Sequence, residues 1–270
     1  MMKSIIVDKI ASVTQACGLS HELRISTDIP CEEGVVLDFP YLGERIGVPA
    51  RVGLRRLDPE AALATYGVPA VALAGTCMEA GKTAAACAMI SRMRHRGLTV
   101  DAFKATGVSL RRDILAMQDS GARRAMIFTD FGVVTTTPKT GPALTRTMLT
   151  EMASGKPDAI VFELGDGILG AYGVESILDS ADIRQAITAV VLSANDPVAA
   201  WGGVKLLRDR FGIEPAVVTG PSTDNSVGVD IIREQLKVPA FNALTSGAAL
   251  GDCVISAVGL DAVARSGEPE

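Results

Sequence analysis

Gly81, Lys82 and Thr83 stand together at the end of the run Ala70-Val71-Ala72-Leu73-Ala74-Gly75-Thr76-Cys77-Met78-Glu79-Ala80. The apolar part reads as a short buried strand, the Gly-bounded part as a loop, and the alanine-rich stretch 82–96 as a helix. In that arrangement the backbone N–H groups of the loop and the positive end of the helix dipole converge on anionic oxygens. Lys82 adds a point charge for outer phosphates, and the Thr83 hydroxyl suits Mg²⁺. Gly75, Thr76, Glu79, Ala80, Gly81, Lys82 and Thr83 are therefore the candidate phosphate-binding, nucleotide-holding set. The usual form of such a loop has its first glycine at position 76; here Thr76 stands there and Gly75 comes one residue early.

Other charged residues close or follow hydrophobic runs, where ligands of an open parallel sheet sit. Lys104 ends Val100-Asp101-Ala102-Phe103, from which it reaches either the same anions or only solvent. Asp113, in Leu110-Arg111-Arg112-Asp113-Ile114, is either a helix cap or a metal ligand beside Thr83. Glu163 follows Ala159-Ile160-Val161-Phe162 and precedes Leu164-Gly165-Asp166-Gly167. An acid there either ligates Mg²⁺, a hard ion that keeps several waters, or shapes a Gly-rich turn. Asp166 and Asp130 are its rivals. His21 and His95 are poor candidates for a general base, and His95, between Arg94 and Arg96, reads as solvated. Phosphoryl transfer does not require one, because positioning and charge neutralisation carry most of it. Cys77 reads as a small residue under the phosphates in preference to a reactive thiol.

These residues need a frame. From Val68 on, strand-like runs at 70–74, 99–104, 125–129, 159–163, 189–193, 215–219 and 238–242 alternate with helical patterns at 82–96, 112–120, 142–153, 173–186, 198–211 and 226–236. That alternation predicts an α/β fold, a mainly parallel sheet with helices on both faces. Residues 1–67 read instead as a small N-terminal α+β region, with a helix at 3–17, strands at 34–39 and 46–55 and a short helix at 58–67; residues 68–270 form the nucleotide-binding domain.

Composition agrees with a buried aliphatic sheet: 48% of the residues are hydrophobic but only 4% aromatic, and there are 27 glycines. A net charge of −5 argues against nucleic acid or an anionic membrane as the main partner. No apolar run is long enough to span a bilayer, and the apolar run near Met1 is too short for a signal peptide. Five scattered cysteines without C-x-x-C pairing fit a reduced, cytoplasmic protein; Cys17, His21 and Cys31 match no zinc spacing.

With those residues in place, the loop Gly75-Thr76-x-x-Glu79-x-Gly81-Lys82-Thr83 resembles that of dethiobiotin synthetase, including the early glycine. Phe103-Lys104, the segment Asp113-Ile114-Leu115-Ala116-Met117-Gln118 and Glu163-Leu164-Gly165-Asp166-Gly167 are similar to further motifs of that family, in the same order. The resemblance implies a P-loop NTPase fold and an ATP- and Mg²⁺-dependent enzyme of ligase type acting on a small-molecule substrate, a carboxylate or carbamate. Thr83, Asp113 and Glu163 would hold Mg²⁺, Lys82 and Lys104 would act catalytically on phosphate and carbamate, and the chain would pair as a homodimer. Phe103-Lys104-Ala105-Thr106-Gly107 and the Glu163 motif also resemble a P-loop family typified by a D-glutamate N-acetyltransferase, which implies transfer from acetyl-CoA as the alternative. Cys77-Met78 and Gly220-Pro221 depart from the dethiobiotin synthetase pattern. The extra early lysine of partner-switched, metal-delivering ATPases is missing at Thr76-Cys77.

Overall fold

The computed structural model describes residues 24–26, 36–38, 57 and 62–261. The chain divides into two compact units, and the larger one, Leu57–Ile127 with Thr136–Glu270, carries the sheet and the candidate site. In the smaller unit a strand β1, Arg24–Ser26, pairs antiparallel with β2, Val36–Asp38, which falls inside the strand expected at 34–39. The helix expected at 3–17, the strand expected at 46–55 and the three residues of the unmatched zinc spacing lie outside the described residues. Of the helix expected at 58–67, the described part is loop, ending in a turn at Tyr66-Gly67 with φ of 51° and 78°.

Six parallel strands form the sheet, in the order β5-β4-β6-β3-β7-β8. They are β3 (Ala70–Gly75), β4 (Val100–Lys104), β5 (Arg124–Ile127), β6 (Ala159–Glu163), β7 (Ile187–Ser193) and β8 (Val217–Thr219). The helices are α1 (Lys82–His95), α2 (Arg111–Asp119), α3 (Gly141–Ser154), α4 (Val174–Asp179), α5 (Ala181–Ala186), α6 (Pro197–Phe211), α7 (Ser226–Ile231) and α8 (Gly247–Ala257). Alternate residues of a strand serve opposite faces. Val71, Leu73, Val100, Ala102, Val161 and Val191 bury one face beneath α1 and α8. Phe103 and Phe162, on the other face, stack at 4.8 Å and 6°. The alanines of α1 let its backbone come close to the sheet, and Ala85 and Ala86 are fully buried.

Local chemistry explains where the expected elements change. The single helix expected at 173–186 breaks at Ser180, whose ψ of 112° is extended and whose hydroxyl donates to the Ser176 carbonyl at 2.9 Å. The strand expected at 238–242 makes only a bridge between Ala240 and Val218, since Pro239 has no N–H to continue a ladder. Helix α8 is absent from the expected elements. It docks on α1 where Gly251 leaves room for Arg92, and Asp252 accepts from Arg92 Nε at 2.8 Å.

At the opposite end of β4 from Lys104, the Asp101 carboxylate is fully buried and accepts from both Arg123 (2.9 and 2.8 Å) and Arg124 (2.9 and 2.7 Å). The same guanidiniums donate to Gly155 and Met152 carbonyls at the end of α3, where cations suit the helix dipole. Burial alone would raise the Asp101 carboxyl, but the hydrogen bonds and charges of the two arginines hold it below the usual range. Its stabilising effect is thus complete above the unfolded carboxyl value of about 3.9 and fades as pH falls through the lower folded value. Asp101→Asn should cost a few kcal/mol, toward the lower end of the roughly 3–5 typical of a broken buried pair because the guanidiniums can turn to water. Urea titrations of the variant should also show weaker acid dependence than the native chain; equal slopes would refute the assignment.

Candidate functional site

The strand register places the key side chains. Ala102 of β4 and Val161 of β6 face α1, so the next residues on that face, Lys104 and Glu163, emerge together at the strand ends, where they are register partners. Loop 76–81 follows β3 beside them, and Gly81 opens α1 with a φ of 92°. Glu79 also takes a positive φ, 60°, which turns the loop back toward the sheet.

Lys82 folds over the loop instead of into solvent. Its Nζ donates to the Cys77 carbonyl at 2.8 Å, and a Cβ on residue 75 would lie 2.7 Å from that nitrogen. The early glycine therefore makes room for the lysine. Thr83 Oγ1 donates to Glu163 Oε2 at 2.9 Å, and Lys104 Nζ donates to Asp113 Oδ2 at 2.5 Å. Cys77 is half-buried, and its Sγ accepts from Asn195 Nδ2 at 3.2 Å.

Backbone contacts at glycines lock the neighbouring loops. Thr106 Oγ1 donates to the Gly165 carbonyl at 2.9 Å, and a Cβ on residue 165 would meet the Thr106 oxygen at 2.2 Å. Thr136 Oγ1 accepts from Gly107 N at 2.8 Å and donates to the Tyr172 carbonyl at 2.9 Å, which ties two walls together. Behind the loop, Gly220 has φ 91°, and a Cβ there would stand 2.4 Å from the Ala80 carbonyl oxygen.

These groups line a cavity of about 280 Å³ that includes Glu79, Gly81, Lys82, Thr83, Lys104, Asp113, Glu163 and Asp166. Lys82, Lys104, Asp113 and Glu163 are all buried. Burial lowers the Lys82 ammonium, opposed chiefly by the Glu163 charge. Burial raises the Glu163 carboxyl, opposed by Lys104, Lys82 and the Thr83 hydroxyl. An anion near Lys82, or a cation near Glu163, would favour the charged form of each. Among the described residues no three acidic, histidine or cysteine side chains converge on one point, so a cation here would have few protein ligands. That set of Thr83, Asp113 and Glu163 oxygens fits Mg²⁺, which is commonly held by one or two carboxylates together with phosphates and water.

The structure thus brings together Lys82, Thr83, Lys104, Asp113 and Glu163, with Gly75 beneath Lys82 and Ala80 buried behind the loop. Thr76 is partly buried and hydrogen-bonds through its N–H to Ser193 O, away from the cavity wall. Lys104 is buried and not a surface lysine; Asp113 stands in the first turn of α2, after Leu110, and turns its carboxylate to Lys104. Asp166 lines the cavity with a φ of 77°, whereas Asp130 belongs to the smaller unit. His95 is exposed, with Nδ1 beside the Ser91 carbonyl. Arg112 and Tyr172 also line the cavity, as do Val108 and Leu110, all from the loops at 104–112 and 165–172 that Thr136 ties together. No helix among the described residues is long and apolar enough to cross a membrane.

Gly220→Ala should lower stability by about 1–3 kcal/mol from strain in a Gly-only conformation, with a similar cost from overpacking against Ala80. Thermal unfolding reads the loss; an unchanged midpoint would mean that this loop does not brace the phosphate-type loop.

No family profile and no curated protein match the chain. Among solved structures it is similar to a DUF1611 family protein from Anabaena variabilis, at 16% identity over 84% of this chain and 70% of that one, with a TM-score of 0.53. It is also similar to the signal recognition particle receptor FtsY from Elizabethkingia anophelis in complex with GDP, at 14% identity over 69% of this chain and a TM-score of 0.50. The chain spans only 63% of that FtsY structure. At such identities the likeness concerns the fold. Six parallel strands, helices on both faces and a glycine-lysine-threonine loop opening α1 give this chain the P-loop NTPase fold.

Proposed function

We propose that the chain is an ATP- and Mg²⁺-dependent enzyme that activates a small carboxylate or carbamate by phosphoryl transfer, a ligase or cyclo-ligase like dethiobiotin synthetase. The observation that carries this is the second lysine: Lys104 is buried on the same cavity wall as Lys82 and is register partner to Glu163. A loop that only binds a nucleotide has no need of a second ammonium there, since a buried ion pair such as Lys104 with Asp113 contributes little net stability by itself. Lys82 would hold the outer phosphates. Lys104 would hold the anionic end of the substrate in line with them and neutralise its charge. Thr83, Asp113 and Glu163 would hold Mg²⁺, which when bound supplies charge neutralisation at phosphoryl oxygens. The loops at 104–112 and 165–172 supply the remaining walls, including Arg112 and Tyr172, and would hold the substrate. A cytoplasmic homodimer belongs to the same proposal, and sedimentation of the purified chain tests the pairing.

Two measurements test the chemistry. ATP–Mg²⁺ at a hundred times its Kd should stabilise the fold by about 2.7 kcal/mol. The melting temperature should rise by several degrees, and acetyl-CoA should leave it unchanged. The reverse pattern would favour an acetyl-CoA-dependent amino-acid N-acetyltransferase whose loop holds CoA phosphates. Lys104→Ala should then reduce carboxylate-stimulated ATP turnover by about 10²–10³, the scale of one lost electrostatic donor, while the ATP-induced shift persists. Normal turnover in that variant would remove Lys104 from the chemistry.

A further inference from the structure

The two residues given separate tasks above are in contact. Lys104 Nζ and Asp113 Oδ2 lie 2.5 Å apart, with side chains only 7% and 11% exposed. Lys104 closes β4, Asp113 sits in the first turn of α2, and the intervening loop is pinned by Gly107 N donating to Thr136 Oγ1. The other Asp113 oxygen has Arg112 Nε at 3.7 Å, but that side chain is 82% exposed and stands largely in water. Glu163, the carboxylate in register with Lys104, accepts instead from Thr83. Asp113 is therefore the acid in direct contact with the buried Lys104 ammonium.

A carboxylate shared by a buried ammonium and a divalent cation brings two positive charges together in a poorly screened place, where like charges repel strongly. We propose that the Lys104–Asp113 pair is an exchangeable latch, resting on the ATP–Mg²⁺ function proposed above, that makes binding ordered. Asp113 neutralises Lys104 until metal with nucleotide claims the carboxylate. The ammonium, left without its acid, then takes the anionic group of the second substrate in its place. In this scheme Asp113 positions Lys104 as well as serving the metal, and the second substrate binds poorly to the ligand-free site because Asp113 already occupies the lysine. Neither role involves bond making; one anion replaces another at Nζ.

Amine acylation of the full-length chain, read residue by residue by mass spectrometry, tests the latch without turnover. The probe is ADP with Mg²⁺, which leaves the third phosphate position open so that Lys104 is not covered by it. In ligand-free protein Lys104 should acylate slowly. With ADP–Mg²⁺ its rate should rise severalfold as Nζ loses its hydrogen-bonded acid, while Lys82 becomes protected. ADP without Mg²⁺ should leave Lys104 slow. Asp113→Asn should make Lys104 fast without ligand, and Asp113→Glu should restore the slow rate. Protection of Lys82 with no change at Lys104 would overturn the latch and leave the nucleotide assignment standing. No protection of Lys82 would sink both. Should the asparagine variant fail to fold, the native chain with and without Mg²⁺ decides alone.

Discussion

Lys82, Lys104, Asp113 and Glu163 are held almost out of water at one end of a parallel sheet, and much of the surrounding fold serves to replace the hydration they lose. Each ion or its neighbour is answered locally: Lys82 by a loop carbonyl, Glu163 by the Thr83 hydroxyl, Lys104 by Asp113. The strand register makes this possible. Lys104 and Glu163 share a rung, and a one-residue slip of β4 against β6 would send one of them to the opposite face. The aliphatic core beneath α1 and α8 and the stacked Phe103 and Phe162 on the other side hold that register. Ion pairs at this depth contribute little net stability by themselves, so packing has to stabilise the arrangement.

The end of the sheet remote from the cavity obeys the same rule with a different purpose. Asp101 is buried among guanidiniums that also close the last carbonyls of α3, so β4, β5 and that helix are fastened at one point. Strand β4 thus carries a structural ion cluster at one end and the cavity lysine at the other, on opposite faces. The first can be satisfied permanently. The second is satisfied only provisionally, by an acid that can be exchanged.

Much of this was legible in the sequence wherever the signal was local. Gly81-Lys82-Thr83 after an aliphatic run fixes a strand, a loop and a helix start, and the six strands of the sheet follow from their apolar runs. Lys104 and Glu163 could be named because they terminate such runs. What escaped was set by contacts distant in the chain. Asp113 reads from its segment as a cap or a metal ligand, but its contact with Lys104 does not show there. Helix α8 lacks a strong local signal and is fixed by Gly251 and Asp252 meeting α1. The Ala240 bridge fails to become a strand because Pro239 removes a donor, a local cue outweighed in the expectation by the flanking apolar residues. Thr136 tells nothing from its neighbours, yet it joins the walls that contain Gly107 and Tyr172.

The glycine contacts at the carboxyl end divide the cavity into parts that can and cannot change. Gly165 against Thr106 and Gly220 against Ala80 leave no room for even one added methyl group, so the backbone that presents the lysines has no slack. Met78, Val108, Leu110 and Arg112 face the same space from exposed positions and are bound by no such contact. Substitutions in descendants of this chain can therefore accumulate on the outer wall while the inner frame stays fixed. What the cavity admits would diverge by side-chain exchange at the rim, under an unchanged arrangement of charges.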